Sequence, residues 1–276
     1  MKLEGVFCWL MVAWVALFSG VAFAADEAPR LVIVIDDMGN NLQQGQAALA
    51  LSGPVTYAVL PHTAHAEQLA REANQFGKEV MLHAPMANTQ RLKLGPGALL
   101  PSYSETHFKK VLNESLDAVP YAVGLNNHMG SLLTQQKVPM RWVMDVAKER
   151  GVFFLDSKTT PSSVAWDVAK QAGVPALKRD IFLDHFQTRE FLSQQFLRAV
   201  NIARRHGYAV VIGHPYPVTT EFLQDAIPAL DEAGVQLVSA SALLMLQEQR
   251  RLLRAKARKH HDLLSRCDYS EGHDCQ

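Results

Sequence analysis

The sequence predicts an α/β fold built on a parallel sheet, either doubly wound or closed into a barrel. Two observations carry this. Short apolar runs and amphipathic stretches alternate along the chain without interruption, and several amphipathic stretches end in glycine. A third observation points to where the chemistry lies. The apolar run Leu31-Val32-Ile33-Val34-Ile35 leads directly into Asp36, Asp37, Met38 and Gly39, as a buried strand does when it opens on a polar mouth.

Residues 1–24 carry a charged start at Lys2, an apolar stretch over 6–18 and a small-residue exit at Ala22, Phe23 and Ala24. This is the form of a secretory signal with an A-x-A-like cleavage site, and its apolar core is short for a membrane span. The expected mature chain starts near Ala25 and works outside the cytoplasm. Its roughly 250 residues suit one barrel or two small domains. The regular glycine punctuation favours a single domain over 25–250, with a basic, then polar, C-terminal helix and tail over 251–276. Lysine plus arginine number 27, as do aspartate plus glutamate, so no global field argues for nucleic acid or a strongly charged polymer. Cys8 falls in the signal, which leaves Cys267 and Cys275 to close a short peripheral loop in an oxidising compartment.

Strand-like runs cover 31–35, 55–60, 79–82, 121–125, 152–155, 175–183, 208–212 and 235–238. Helical spacing fills the intervals, as in Ala66-Leu69-Ala70-Ala73, Val143-Val146-Ala147 and Phe191-Phe196-Ala199-Val200. Gly77, Gly151, Gly173, Gly207 and Gly234 stand where helices stop. The longest irregular stretch, 84–103, contains Pro85, Gly95, Pro96, Gly97 and Pro101 and reads as a lid or binding loop.

Polar residues gather at the C-terminal ends of these strands. Asp36 and Asp37 follow the first, His62 the second, His83 the third, and Asn126, Asn127 and His128 the fourth. Asp156 follows the fifth, Asp184 and His185 end the sixth, and His214 ends the seventh. If the sheet closes into a barrel, all of these ends open on one face. Asp37, His83 and His128 then supply one carboxylate and two imidazoles, a ligand set for zinc or a related divalent metal. Such an ion polarises a carbonyl oxygen and lets Asp36 stay ionised as a base beside Asp37. His214 titrates in the range useful for protonating a leaving amine. Taken singly, each histidine is an ordinary hydrogen-bonded strand end. The agreement of their positions argues for a set.

Asp36-Asp37-Met38-Gly39, the His83 that closes its strand, and His214 after Val210-Val211-Ile212-Gly213 together resemble the NodB-like polysaccharide deacetylases. The runs Gly124-Leu125-Asn126-Asn127-His128-Met129-Gly130-Ser131 and Phe153-Phe154-Leu155-Asp156-Ser157 resemble the divergent polysaccharide deacetylase branch, the YibQ-like periplasmic proteins. The resemblance spans 31–246. It implies a deformed (β/α) barrel of seven or eight mostly parallel strands that removes acetyl groups from N- or O-acetylated sugars with a divalent metal, zinc first. By the same resemblance Asp36 is the general base, Asp37 a metal ligand, His83 the first metal histidine and His214 the general acid.

Two departures from the family pattern shape the rest of the expected site. The family's second metal histidine stands four residues after the first, where this chain has Ala87. His128 is the candidate replacement. The arginine that steadies the base is also missing from its motif, and Arg179 is the candidate substitute. Asp184 or Asp156 would orient an imidazole, and His62 and Asn127 complete the supporting or substrate-binding set. Tyr103, Trp166 and Tyr216 are available to stack on sugar. The implied partner is an acetylated polysaccharide or oligosaccharide of the cell envelope. The basic run from Arg250 to His261 offers a weak envelope contact, although such runs are ordinarily solvated helix faces. Ala87 and the missing arginine favour an alternative, a glycan-binding or scaffold protein that kept the barrel and lost the reaction. A two-carboxylate glycosidase using Asp36 with Asp156 or Asp184 would leave the histidines without a task.

Overall fold

The computed structural model describes residues 28–267, with side chains through Lys259. The expected signal, the polar end of the tail and the Cys267–Cys275 pairing lie outside the described residues. Among the described residues, no helix is long and apolar enough to cross a membrane.

The strands are β1 (Arg30–Met38), β2 (Thr56–Val59), β3 (Glu79–Met86), β4 (Ala122–Met129), β5 (Phe153–Asp156), β6 (Ala176–Lys178), β7 (Ile181–Phe182), β8 (Tyr208–Gly213) and β9 (Gln236–Leu237). The helices that follow them are α1 (Leu42–Leu49), α2 (Ala66–Gln75), α3 (Glu105–Asp117), α4 (Lys137–Glu149), α5 (Ala165–Ala172), α6 (Arg189–His206), α7 (Pro217–Ala226), α8 (Ala229–Glu232) and α9 (Ala240–Cys267). Every pairing between strands is parallel, in the order β6-β5-β4-β3-β2-β1-β8-β7, with β9 added beside β1. The alternative of a doubly wound sheet is thereby set aside: this is the deformed (β/α) barrel.

The barrel's seam corrects one expected strand. The run 175–183 is two short strands, because its hydrogen bonding changes partner midway. Arg179 N donates to Asp156 O on the β5 side, and Asp180 N donates to Val210 O on the β8 side. One extended segment therefore spans the gap between the two ends of the sheet. The ladder is broken there, which is the deformation.

Side-chain alternation sorts the core into two layers. Leu31, Ile33, Ile35, Tyr57 and Leu82 pack outward against the helices. Val32, Val34, Ala58, Met81, Phe153, Leu155, Leu177, Val210 and Ile212 fill the interior. A Cβ on Gly124 would lie 2.4 Å from the Phe153 ring, so the missing side chain on β4 makes room for the aromatic of β5. The lower end of the barrel is stoppered by the first turn of α9, whose Ala240 and Leu243 join the interior cluster. Ala240 N donates to Thr56 Oγ1, and Ser241 N lies 3.2 Å from both carboxylate oxygens of Glu79, a carboxylate set against a helix N-terminus. These contacts start the C-terminal helix at Ala240, so it is continuous across the boundary expected at 250.

The strands also run further than their apolar cores suggest. β1 includes Asp36 and Asp37, β3 continues through Pro85, and β4 includes Asn126, Asn127 and His128. Pro85 is tolerated because β2 has already stopped opposite Leu82, so the missing N–H has no neighbour to serve. Its carbonyl still accepts from Leu99 N of the following loop.

Candidate metal centre and cleft

The inward alternation that places Val32 and Val34 in the barrel continues to Asp36, and likewise from Met81 to His83 and from Val210 and Ile212 to His214. Asp37 should then face outward. Its φ of 57° and a register shift of β1 against β2 between Ile35 and Met38 break the alternation, so two adjacent carboxylates reach one cleft. A non-glycine residue held in the left-handed region costs about 1 kcal/mol. Met129 and Lys158, at the ends of β4 and β5, share the same strain. The cleft holds about 310 Å³ and is lined by Asp36, Asp37, His83, His128, Asp184 and His214 among others.

Asp37, His83 and His128 meet as a cluster that could hold a metal ion. Asp37 Oδ1 lies 2.8 Å from His128 Nδ1 and 3.1 Å from His83 Nε2, and the two ring nitrogens are 3.1 Å apart. Three ligands at zinc distances of roughly 2.0–2.1 Å in a tetrahedron sit roughly 3.3 Å from one another, so a small relaxation accommodates the ion. Asp37 Oδ1 is buried and makes no hydrogen bond of good geometry. Burial works against the Asp37 charge, but the close imidazoles of His128 and His83 hold its carboxyl well below the usual carboxylate range. For His83, burial works to lower the pKa, while the charges of Asp36 and Asp37 raise it overall. Proton and cation compete for these atoms, so loading the site releases protons. Ala87 is buried in the outer apolar core.

Asp36 is 2 % exposed. Burial dominates and pushes its carboxyl up, against the pull of His83, His214 and Asn126. Asn126, to which the sequence assigned no role, is the hinge of the arrangement. Its Nδ2 donates to Asp36 Oδ1 at 2.7 Å, and its Oδ1 lies 2.6 Å from His83 Nδ1. That contact fixes the His83 proton on Nδ1 and turns the bare Nε2 toward Asp37. Two residues before His128 on the same strand face, Asn126 could have been read from alternation alone. Asn126→Leu is expected to weaken zinc affinity about 10- to 100-fold by chelator competition, the usual consequence of losing a partner behind a ligand. Unchanged affinity would remove Asn126 from this role.

His214 is oriented by Asp184. Asp184 Oδ1 lies 2.9 Å from His214 Nδ1, while its Oδ2 accepts from His214 N and Thr219 Oγ1. Burial works to lower the His214 pKa, yet the Asp184 hydrogen bond and charge, with Asp37 and Asp36 beyond, push it up to about 9. Its Nε2 is 4.0 Å from Asp37 Oδ2. Phe182 and Tyr216 flank the imidazole.

Three expected supporting residues are placed elsewhere. Asp156 follows Leu155, an interior residue, and so faces the helix layer, where it accepts from Lys158 N, Ser163 Oγ and Trp166 N. It orients no imidazole. His62 is exposed on the turn after β2 with φ 56°, its ring beside Gly97 rather than on the cleft. Arg179 donates to the carbonyls of Ser157 and Lys158 and stacks on Phe182, so Asn126 and not a guanidinium hydrogen-bonds Asp36. Asn127 does line the cleft and ties its rim, donating to Met129 O and accepting from Ser157 N. Of the aromatic residues considered for stacking, Tyr216 lines the cleft. Trp166 lies under Lys170 and Lys178, and Tyr103 packs on His107.

The chain matches the divergent polysaccharide deacetylase family over residues 33–244. It is 38% identical to the uncharacterized protein YibQ of Escherichia coli K12 over 79% of this chain and 68% of that protein. An uncharacterized protein of Haemophilus influenzae is 36% identical over 83% of this chain and 80% of its own length. Among solved structures, the uncharacterized protein ATU2773 of Agrobacterium tumefaciens C58 superposes with a TM-score of 0.76 at 22% identity, covering 79% of this chain and 89% of that one. The peptidoglycan deacetylase PdaC of Bacillus subtilis superposes at 0.52 with 13% identity, covering 84% and 98%. BA3943 of Bacillus anthracis, described as a CE4 family pseudoenzyme, superposes at 0.50 with 14% identity, covering 79% and 66%. These structural likenesses concern the barrel alone. The match over residues 33–244 and the identity to YibQ decide the family: the chain belongs to the divergent polysaccharide deacetylases.

Proposed function

We propose that the protein is a metal-dependent carbohydrate deacetylase of the cell envelope, exported to the periplasm and acting on N- or O-acetyl groups of a polysaccharide or oligosaccharide. The observation that carries the reading is the convergence of Asp37, His83 and His128 on one point, with Asp36 and His214 in the same cleft. A divalent cation there, zinc first, supplies Lewis acidity toward an acetyl carbonyl and lowers the pKa of a water. Asp37, His83 and His128 would hold it. Asp36, kept basic by burial and aimed by Asn126, takes the proton of the attacking water. The water oxygen bonds to the acetyl carbon, the C–N or C–O bond to the sugar breaks, and His214 gives its proton to the departing amine or alcohol. Asp184 keeps the His214 Nδ1–H occupied, so the proton given to the leaving group comes from Nε2. Among the described residues, the cleft lining contains no lysine or arginine, which suits an uncharged acetamido or acetoxy group better than a phosphate or sulfate. Outside the cleft, Arg250, Arg254 and Arg258 stand at four-residue spacing along α9 beside His206 and Tyr208, a basic groove suited to weak contact with anionic envelope components.

A second reading, a glycan-binding protein without turnover, is favoured by the missing guanidinium at Asp36 and by a pseudoenzyme among the fold neighbours. Chelator-stripped and zinc-restored protein separates the two. The deacetylase is expected to release acetate from an acetylated chito-oligosaccharide only after zinc is returned. Zinc-loaded protein that binds the oligosaccharide and releases no acetate establishes the second reading.

A further inference from the structure

Among the described residues, two buried polar atoms without a hydrogen bond belong to residues lining the cleft: Asp37 Oδ1 and Ser157 Oγ. The first belongs to the ligand cluster. The second has no such account, although Ser157 is 1 % exposed. It continues the interior alternation of Phe153 and Leu155, and its backbone is pinned. Ser157 N donates to Asn127 Oδ1 at 2.9 Å, and Ser157 O accepts from Arg179 Nε at 2.6 Å. The next residue, Lys158, is held at a φ of 45° by Asp156 Oδ1 on its N–H and Arg179 on its carbonyl. Nearby Thr159 gives the contrast, since its hydroxyl is committed to Met129 O at 2.7 Å. A buried hydroxyl with no partner burdens folding. Here an arginine, an asparagine and an aspartate fix the backbone that carries one into a cleft where Asp36, Asp37 and Asp184 offer only acceptors and His214 Nε2 is committed to the leaving group.

We propose that Ser157 is a catalytic residue whose hydroxyl donates a hydrogen bond to the acetyl oxygen of the bound substrate, steadying the negative charge that develops there. The proposal rests on the deacetylase reading. No proton is transferred in this contact: the hydroxyl stays intact and contributes a fixed dipole.

The test compares zinc-loaded wild type, Ser157→Ala and Ser157→Cys, with acetohydroxamate as the probe for calorimetric binding. Ser157→Ala is expected to unfold at the same or a higher temperature, because it removes an unsatisfied buried group. It should bind acetohydroxamate about 10-fold more weakly and lose about 100-fold in kcat on an acetylated chito-oligosaccharide with KM little changed, as removal of a transition-state donor does. Ser157→Cys keeps the side-chain shape with a somewhat larger terminal atom, has a weaker donor and should move binding in the same direction, so the comparison survives a folding defect in the alanine variant. A lowered melting temperature with unchanged acetohydroxamate affinity would make the hydroxyl structural and overturn the proposal. Unchanged affinity in both variants, or a wild type that does not bind the probe, overturns it equally. If wild type binds acetohydroxamate but deacetylates no glycan, the deacetylase reading fails while the binding and unfolding comparison still decides whether Ser157 faces a ligand.

Discussion

Replacing His128 by alanine is expected to weaken zinc binding about 100- to 1000-fold while leaving the barrel folded. Structural zinc sites have apparent binding free energies of roughly 10–16 kcal/mol over four ligands, or about 2.5–4 kcal/mol for each ligand. The fold should tolerate the change because the His128 side chain is 18% exposed at the cleft, so its loss opens no sealed cavity. Chelator competition gives the affinity, and thermal unfolding of the metal-free variant checks the fold. Adding a histidine where the wider family has one, Ala87→His, is not expected to restore binding, because Ala87 packs among outer-core apolar residues. It would instead place an imidazole in an apolar layer and destabilise the protein by about 1–3 kcal/mol. Undiminished, stoichiometric zinc in His128→Ala would remove His128 from the ligand set and leave the cluster without its third arm.

The contrast between Ala87 and His128 shows which parts of this protein could be read from its sequence. Strand cores announce themselves by apolar composition, and the glycines at 77, 151, 173, 207 and 234 all have positive φ at or just beyond helix ends, so the alternating architecture was legible. Polar strand ends were legible too, because a barrel gathers them on one rim whatever their spacing in the chain. Facing was less so. The sequence offers Asp36 and Asp37 as a pair, yet only the bulge and the left-handed φ at Asp37 turn both toward one cleft. Asp156 looked equivalent to Asp36 as a carboxylate at a strand end. One position of alternation after Leu155 sends it into the helix layer instead.

The seam was hidden for a different reason. Composition marks 175–183 as extended but says nothing of which neighbour each half pairs with, and that exchange at Arg179 and Asp180 follows from the barrel's closure. The same exchange draws Arg179 to the carbonyls of Ser157 and Lys158, which is why it does not hydrogen-bond Asp36. Alternation places Asn126 on the same face as His128, but its bridging of His83 and Asp36 depends on those two meeting across the barrel, with His83 Nε2 3.7 Å from Asp36 Oδ2. Long-range pairing, not local propensity, set each of these outcomes.

Asp36→Asn is expected to lower turnover about 100- to 10,000-fold, the range for loss of a general base, while zinc still binds at one equivalent. The amide matches the carboxylate in shape, and its oxygen can still accept from Asn126 Nδ2, so the geometry around His83 persists. Stability should move the opposite way. Burial raises the Asp36 pKa above its unfolded value, so the folded protein binds more protons than the unfolded chain as pH climbs out of the ordinary carboxylate range. The contribution of Asp36 to stability is therefore fully present in acid and is lost as pH rises through its folded pKa. An asparagine there does not titrate. Metal-free Asp36→Asn should accordingly unfold at a higher temperature than metal-free wild type at neutral pH, with the difference shrinking as both are acidified. Activity lost together with stability at neutral pH would mean that Asp36 holds the barrel rather than the proton. Activity lost while stability rises is the signature of a carboxylate kept in an unfavourable place for its chemistry.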